Sequence, residues 1–179
     1  MIVLQTPRLL LRHFQPEDLE PLYRLYRDPE MRRYYPDGTR TREQTKEELD
    51  WFVDGDAGHP ELGLWATLDR HTGEFLGRCG LLPWTLDGQR EVEVAYMIDK
   101  RRWREGLATE AATGIAQHAL GTLHLRRLIC LVIPGNDASA GVARKIGMRF
   151  ERTHADAFGL CHVYSMGAAH PATREGRQP

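Results

Sequence analysis

A chain of 179 residues, 41% hydrophobic and 27% charged, has the length and apolar content of one globular domain, which argues against a disordered polypeptide and against a membrane span. Its formal net charge of −1 gives no global basis for binding nucleic acid or a membrane surface. Cys79, Cys130 and Cys161 stand in separate segments without CxxC pairing, so neither a disulfide framework nor a metal site is expected, and reduced thiols in the cytoplasm are the plain reading.

The opening MIVLQTPRLLLRHF is interrupted by Pro7, Arg8 and Arg12, too early for a signal peptide. Residues 2–13 are expected to form one edge strand, since Pro7 has no place in a central one. Leu19, Leu22, Tyr23 and Tyr26 then recur at helical spacing, with Asp18 as the expected N-cap and Pro21 in the first turn. After RDPEMRRYYPDGTR a second helix is expected over residues 41–52, its end seated by Leu49, Trp51 and Phe52, and GDAGHPELG reads as a loop. Residues 64–68 and 75–82 read as a hairpin around DRHTGE, and residues 91–98, EVEVAYMI, as a third strand.

Ala108, Ala111, Ala112, Ile115, Ala119 and Leu120 share one face of the next helix. RLICLVI, residues 127–133, is apolar enough for a strand buried on both faces. NDASAGVARKIG gives a short helix with Asn136 as N-cap, Asp137 at its positive end, Arg144 and Lys145 at its negative end, and Gly147 at C′. Two strands close the chain. The order β-α-α-β-β-β-α-β-α-β-β predicts a mixed α/β (α+β) single domain over residues 1–166, a central sheet flanked by helices, with residues 167–179 as a disordered tail.

The informative stretch is WREGLATEA, residues 103–111, where a strand gives way to a tight turn and then to a helix that starts on small residues. Unpaired N–H groups at such a helix start hold anions, helped by the macrodipole. Gly106 would let the backbone approach a ligand, Ala108 would leave room, and Arg101, Arg102 and Arg104 would raise the local positive potential. Neither GxxxxGK[ST] nor GxGxxG occurs, which removes two nucleotide-binding readings. Taken alone, Gly106 is equally well a plain turn glycine.

Together with its neighbours it carries more. YMIDKRRWREGLATEA followed by IPGNDASAGVARKIGMRFE resembles the acetyl-CoA-binding core of the GNAT superfamily of N-acyltransferases. The opening QTPRLLLRHFQPEDLEPLYRLYRDPEMRRY resembles its ribosomal-protein N-terminal acetyltransferase (Rim-type) subgroup, and the likeness runs from residue 5 to 150. It implies the GNAT fold, with a mixed, mostly antiparallel sheet, acetyl-CoA as co-substrate and no metal. It further implies that Trp103, Arg104, Glu105, Gly106, Leu107, Ala108 and Thr109 hold the coenzyme pyrophosphate through main-chain N–H groups. Met97 and Ile98 would pair with the pantetheine arm where strands splay apart, and Asn136 and Ser139 would lie beside the thioester.

An amine attacks a thioester only when neutral, so a base is expected. Glu93 matches the subgroup's acidic position, with Glu91 on the same face in reserve. The tyrosine that many superfamily members use to protonate the leaving thiolate is replaced by Ala143, which leaves Ser139 as the nearest hydroxyl; at the third helical position it is also ordinary capping chemistry. Cys161 and His162 point to opposite faces of a strand and are set aside as a nucleophilic pair. Arg32, Arg33, Tyr34 and Tyr35, with Trp84 nearby, would line the acceptor side. The expected activity is acetyl transfer to a primary amine, a peptide N-terminal α-amine or a small molecule, by a monomer or homodimer without nucleic-acid or membrane partners. A non-catalytic acyl-CoA sensor and an aminoglycoside-type acetyltransferase are the alternatives; basic acceptor loops speak against the latter.

Overall fold

The computed structural model describes residues 1–55, 58–156 and 159–167. In chain order its elements are β1 (Ile2–Gln5), β2 (Leu9–Arg12), α1 (Leu19–Tyr26), α2 (Arg42–Asp54), β3 (Gly63–Asp69), β4 (Phe75–Leu86) and β5 (Gln89–Ile98). They continue with α3 (Leu107–Gln117), β6 (Arg127–Val132), α4 (Asp137–Lys145), β7 (Arg149–Asp156) and β8 (Gly159–Gly167). The strands make one sheet in the order β1-β2-β3-β4-β5-β6-β8-β7. Every neighbouring pair is antiparallel except β5 and β6.

Period-two alternation divides the core. Trp65, Cys79, Leu81, Val94 and Ile98 pack against Leu107, Ala111, Ile115, Ala140 and Ala143 of α3 and α4. The opposite side chains, Leu64, Ala66 and Met97, pack against Leu22, Leu25, Leu49 and Phe52 of α1 and α2. One face of the sheet thus serves each helix pair. Thr41 starts α2 with a reciprocal cap: its hydroxyl accepts from the Gln44 amide at 3.2 Å, and the Gln44 side chain accepts from the Thr41 amide at 2.9 Å. No helix among the described residues is long and apolar enough to cross a membrane.

Four expectations are corrected. Pro7 does not sit within one edge strand; the chain reverses around it, so residues 2–13 form the antiparallel pair β1 and β2. Asp18 does not cap α1 with its side chain. Its carboxylate is taken by both terminal nitrogens of Arg12, at 2.7 and 2.8 Å, and by the Gln15 amide at 2.8 Å. Trp51 does not seat the end of α2 but stands half exposed. Gly167 closes β8 instead of opening a tail; residues 168–179 lie outside the described residues.

The strands before and after the third reversal are longer than their apolar stretches. Asp87 and Gly88, at φ +52° and +75°, make the two-residue turn with both torsions positive that suits a right-twisted hairpin, and pairing runs from Gly77 opposite Ile98 to Leu86 opposite Gln89. At Gly80 the sheet leaves no room for a side chain: a Cβ there would press on the Gly63 carbonyl and come within 2.9 Å of the Leu64 Cα. Gly80→Ala is expected to cost about 1–3 kcal/mol of stability, read by chemical denaturation. Gly121→Ala, with open space around it, should be neutral or slightly stabilising.

Candidate functional site

The site begins where β5 and β6 part. Parallel pairing between them is recorded at a single position, Glu93 opposite Ile129, and the Cys130 thiol reaches the Val94 carbonyl at 3.1 Å just beyond it. Past that point β5 stays paired with β4 and β6 with β8. A wedge opens between two strands that run in the same direction, and each leads through a short turn into a helix, α3 or α4.

The turn after β5 is held by Asp99, whose carboxylate accepts from the Arg101 amide at 3.0 Å. Arg104 and Gly106 then take left-handed torsions, φ +67° and +80°; the second opens α3 as its N-cap. Alternation of this kind turns successive amides toward one side, a geometry suited to anions. The first main-chain bond of α3 is Glu110 N to Gly106 O, at 3.0 Å. Among the described residues, no acceptor is recorded for the amides of residues 104–109. Gly106 is required by its torsion, not by crowding: the nearest atom to a Cβ there is Arg8 Nη2 at 3.8 Å.

The cations around this cradle differ from expectation. Arg101 is bound to Asp99 and Glu74, and Arg102 to Asp69, Glu74 and Glu105, so their charges are largely neutralised. Arg104 makes no ion pair among the described residues. Arg8, from the turn between β1 and β2, leans over the start of α3, donating to the Glu105 carbonyl at 3.0 Å and to Glu110 at 2.6 Å. Trp103 sends its indole N–H to the Ile98 carbonyl at 2.7 Å, which occupies one of the main-chain groups expected to face a pantetheine arm.

Across the wedge, Asn136 caps α4, its Oδ1 accepting from the Ser139 amide at 3.2 Å. Tyr96 reaches over from β5: its hydroxyl donates to the Ser139 carbonyl at 2.9 Å and lies 3.1 Å from the Ser139 hydroxyl. Burial holds that phenol well above its ordinary pKa. Ala143 is fully buried in the core, so no hydroxyl is available one turn further along.

Glu91 and Glu93 share a face, as alternation requires, but their surroundings separate them. Glu91 is buried and bound to Arg127 at 3.0 Å, and Arg127 also binds Glu151 at 2.8 Å. Glu93 has no cation within ion-pair distance among the described residues. It accepts from the Trp84 indole at 2.7 Å and from the Leu131 amide at 3.4 Å. Burial raises its pKa, against the lowering influence of those two donors and of the Arg78 charge.

The loop after α1 forms the facing wall. Arg32 is buried, donating to the Gly38 carbonyl at 2.8 Å and to Asp37 at 2.6 Å, and stacks on Tyr35 and Tyr26 at 4.1 and 4.9 Å. It organises the loop instead of facing an acceptor. Tyr34 donates to the Gly135 carbonyl at 2.9 Å, joining the loop to the entry of α4, while Arg33 is exposed and stacks on Tyr34. Between α2 and β4 lies a cavity of about 240 Å³ walled by Glu48, Trp51, Phe52, Leu82 and Trp84, with Arg78 among its lining.

Residues 8–149 match the family model described as an acetyltransferase (GNAT) domain. The chain belongs to this family. It is 36% identical over 151 residues to the uncharacterised protein YkkB of Bacillus subtilis, covering 84% of this chain and 87% of that one. Among solved structures, a GNAT-family acetyltransferase from Bacillus anthracis superposes with a TM-score of 0.80 at 22% identity, covering 93% and 98% of the two chains. A ribosomal L7/L12 alpha-N-protein acetyltransferase in complex with coenzyme A superposes at 0.74 and 15%, covering 93% and 98%; that likeness is one of fold. The mixed sheet flanked by helices is the GNAT fold, and the protein is an acyltransferase.

In GNAT terms, the sequence located the helix starts on both sides of the wedge and missed Arg8, Tyr96 and Arg78. Tyr96 lies within the quoted YMIDKRRWREGLATEA stretch and alternates with Glu93 to the opposite face, a sign that it meets α4. Arg8 and Arg78 carry no local signal, because their partners are distant in the chain. The raised pKa of Glu93 has a stability consequence. Its folded form favours the proton, so its favourable contribution is complete below its ordinary pKa and is lost as pH rises through the folded value. Glu93→Gln, which keeps an acceptor for Trp84 without the charge, should unfold a few degrees higher than wild type near pH 7.5, with the difference shrinking toward pH 4. A lower melting temperature at pH 7.5 would contradict this account.

Proposed function

We propose that the chain moves the acetyl group of acetyl-CoA onto a primary amine, a peptide N-terminal α-amine or a small-molecule amine, by direct attack in a ternary complex. The observation that carries the reading is the run of acceptor-free amides at residues 104–109, placed at a helix N-terminus where a diphosphate is stabilised by both hydrogen bonds and the macrodipole. The open space over Gly106 fits a ligand passing close to the backbone. Arg104 supplies charge beside it, while Arg8, paired with Glu110, offers N–H donors. When bound, the coenzyme supplies a thioester whose carbonyl carbon accepts the nitrogen.

Glu93 is the base. An acceptor ammonium has a pKa of about 8 if it is an α-amine, and a desolvated carboxylate with a raised pKa takes its proton more readily than an exposed one. The nitrogen then forms the C–N bond as the C–S bond breaks, and its second proton goes to the departing sulfur. Ser139, hydrogen-bonded to Tyr96, relays that proton. Glu91, already bound to Arg127, is not needed. The opening segment's resemblance favours the Rim-type subgroup. A non-catalytic sensor remains the second reading, supported by Ala143 in the tyrosine's position.

Gly106→Val forces a β-branched side chain onto φ +80° at about 1–2 kcal/mol, so acetyl-CoA affinity should fall about tenfold by calorimetry. Unchanged affinity removes the cradle from the mechanism. Glu93→Gln should slow turnover chiefly below about pH 8 with coenzyme affinity retained, while Ser139→Ala should slow release of free thiol. Binding of acetyl-CoA with no thiol release on any amine would establish the sensor reading.

A further inference from the structure

The cavity between α2 and β4 is lined by Arg78, which makes no ion pair among the described residues, and by the Glu48 carboxylate, which is engaged elsewhere. Arg78 is 5% exposed, yet no carboxylate lies within ion-pair distance of it among the described residues. Its Nε has no hydrogen-bond partner there, and its Nη2 donates to the Tyr35 hydroxyl at a long 3.3 Å. The ring centroids of Tyr26 and Tyr35, at 5.5 and 5.6 Å, offset only part of the cost of burying a guanidinium. Nearby carboxylates are engaged: Asp37 by Arg32 and Arg40, and Glu48 by the Tyr26 hydroxyl at 2.9 Å, with Arg40 at 4.0 Å. Arg32, Arg40 and Arg78 therefore share Asp37 and Glu48, Glu93 feels Arg78 only beyond ion-pair distance, and Arg78 is the guanidinium that lines the cavity, beside Glu48.

We infer that this cavity is the acceptor subsite and that Arg78 binds the carboxylate of a free α-amino acid with an apolar or aromatic side chain. The inference rests on the reading of the protein as an amine acetyltransferase. A guanidinium presents paired N–H donors that match a carboxylate, and Trp51, Phe52, Leu82 and Trp84 give the side chain an apolar wall. Trp84 also donates to Glu93, so the same cavity ends beside the base that takes the amine's proton. A peptide amino terminus lacks the anion at this position and would leave Arg78 unpaired.

The test compares phenylalanine, phenylalaninamide and a tripeptide beginning with phenylalanine as acceptors for the wild-type protein, followed by free-thiol release at saturating acetyl-CoA. The acid should exceed the amide and the peptide by at least about tenfold in kcat/KM, chiefly through KM, because a site built to pair a polar group rejects analogues that lack it. Arg78→Gln should abolish that preference, and Arg78→Lys should restore part of it. Should the variants fold poorly, the wild-type comparison alone decides. Equal or better turnover of the amide or peptide overturns the inference while leaving acetyl transfer standing, and so does turnover of amines with none on the acid. Failure to bind acetyl-CoA at all would instead overturn the underlying enzymatic reading.

Discussion

The structure depends on the parting of β5 and β6. In a fully zipped sheet each strand spends its amides on its neighbours, and nothing is left for a ligand. Here one parallel bridge, Glu93 opposite Ile129, aligns the two strands before they separate. Because they are parallel, their C-terminal ends lie on the same side, and each leads into a helix whose positive end comes back toward the gap. The cradle at residues 104–109 and the capped start of α4 are therefore neighbours by topology. Tyr96 spans the distance, tying the strand that carries one to the helix that begins the other.

Glu91 and Glu93 illustrate why a motif names a face and not a function. They are two residues apart on one strand and point the same way. Glu91 meets Arg127 from β6 and is neutralised in the interior, a pair that stabilises only as long as both members remain. Two residues on, β6 offers no cation, only the Leu131 amide, and the carboxylate finds an indole N–H instead. Dipoles orient it without cancelling its charge. Glu93 is thus left desolvated beside the open wedge without a paired cation among the described residues, whereas Glu91 is held by a guanidinium.

The parts legible in the sequence are those whose causes are local. Asn136 caps α4 and Gly147 at φ +95° ends it, because capping is decided within a few residues. Gly106 marks the turn into α3 for the same reason, and its left-handed torsion is what requires glycine there. The reversal at Pro7 was missed because proline excludes a central strand without saying which way the chain turns. Arg8, Arg78 and Tyr96 were missed because their roles are set by partners on other elements. Arg32 lies in the loop expected to line the acceptor side, whereas burial and Asp37 make it part of the scaffold. The arginines at 101 and 102 looked like a positive patch only while Asp69, Glu74 and Asp99 were out of sight.

Trp84 joins the two halves of the proposed chemistry. Its ring forms part of the cavity wall opposite α2, and its N–H donates to Glu93. That hydrogen bond favours the carboxylate and so works against the burial that raises its pKa. Any displacement of the ring by an ill-fitting side chain would lengthen the bond and let burial raise the Glu93 pKa further. On the proposed reading, recognition of the acceptor and the pKa of Glu93 are coupled through one side chain.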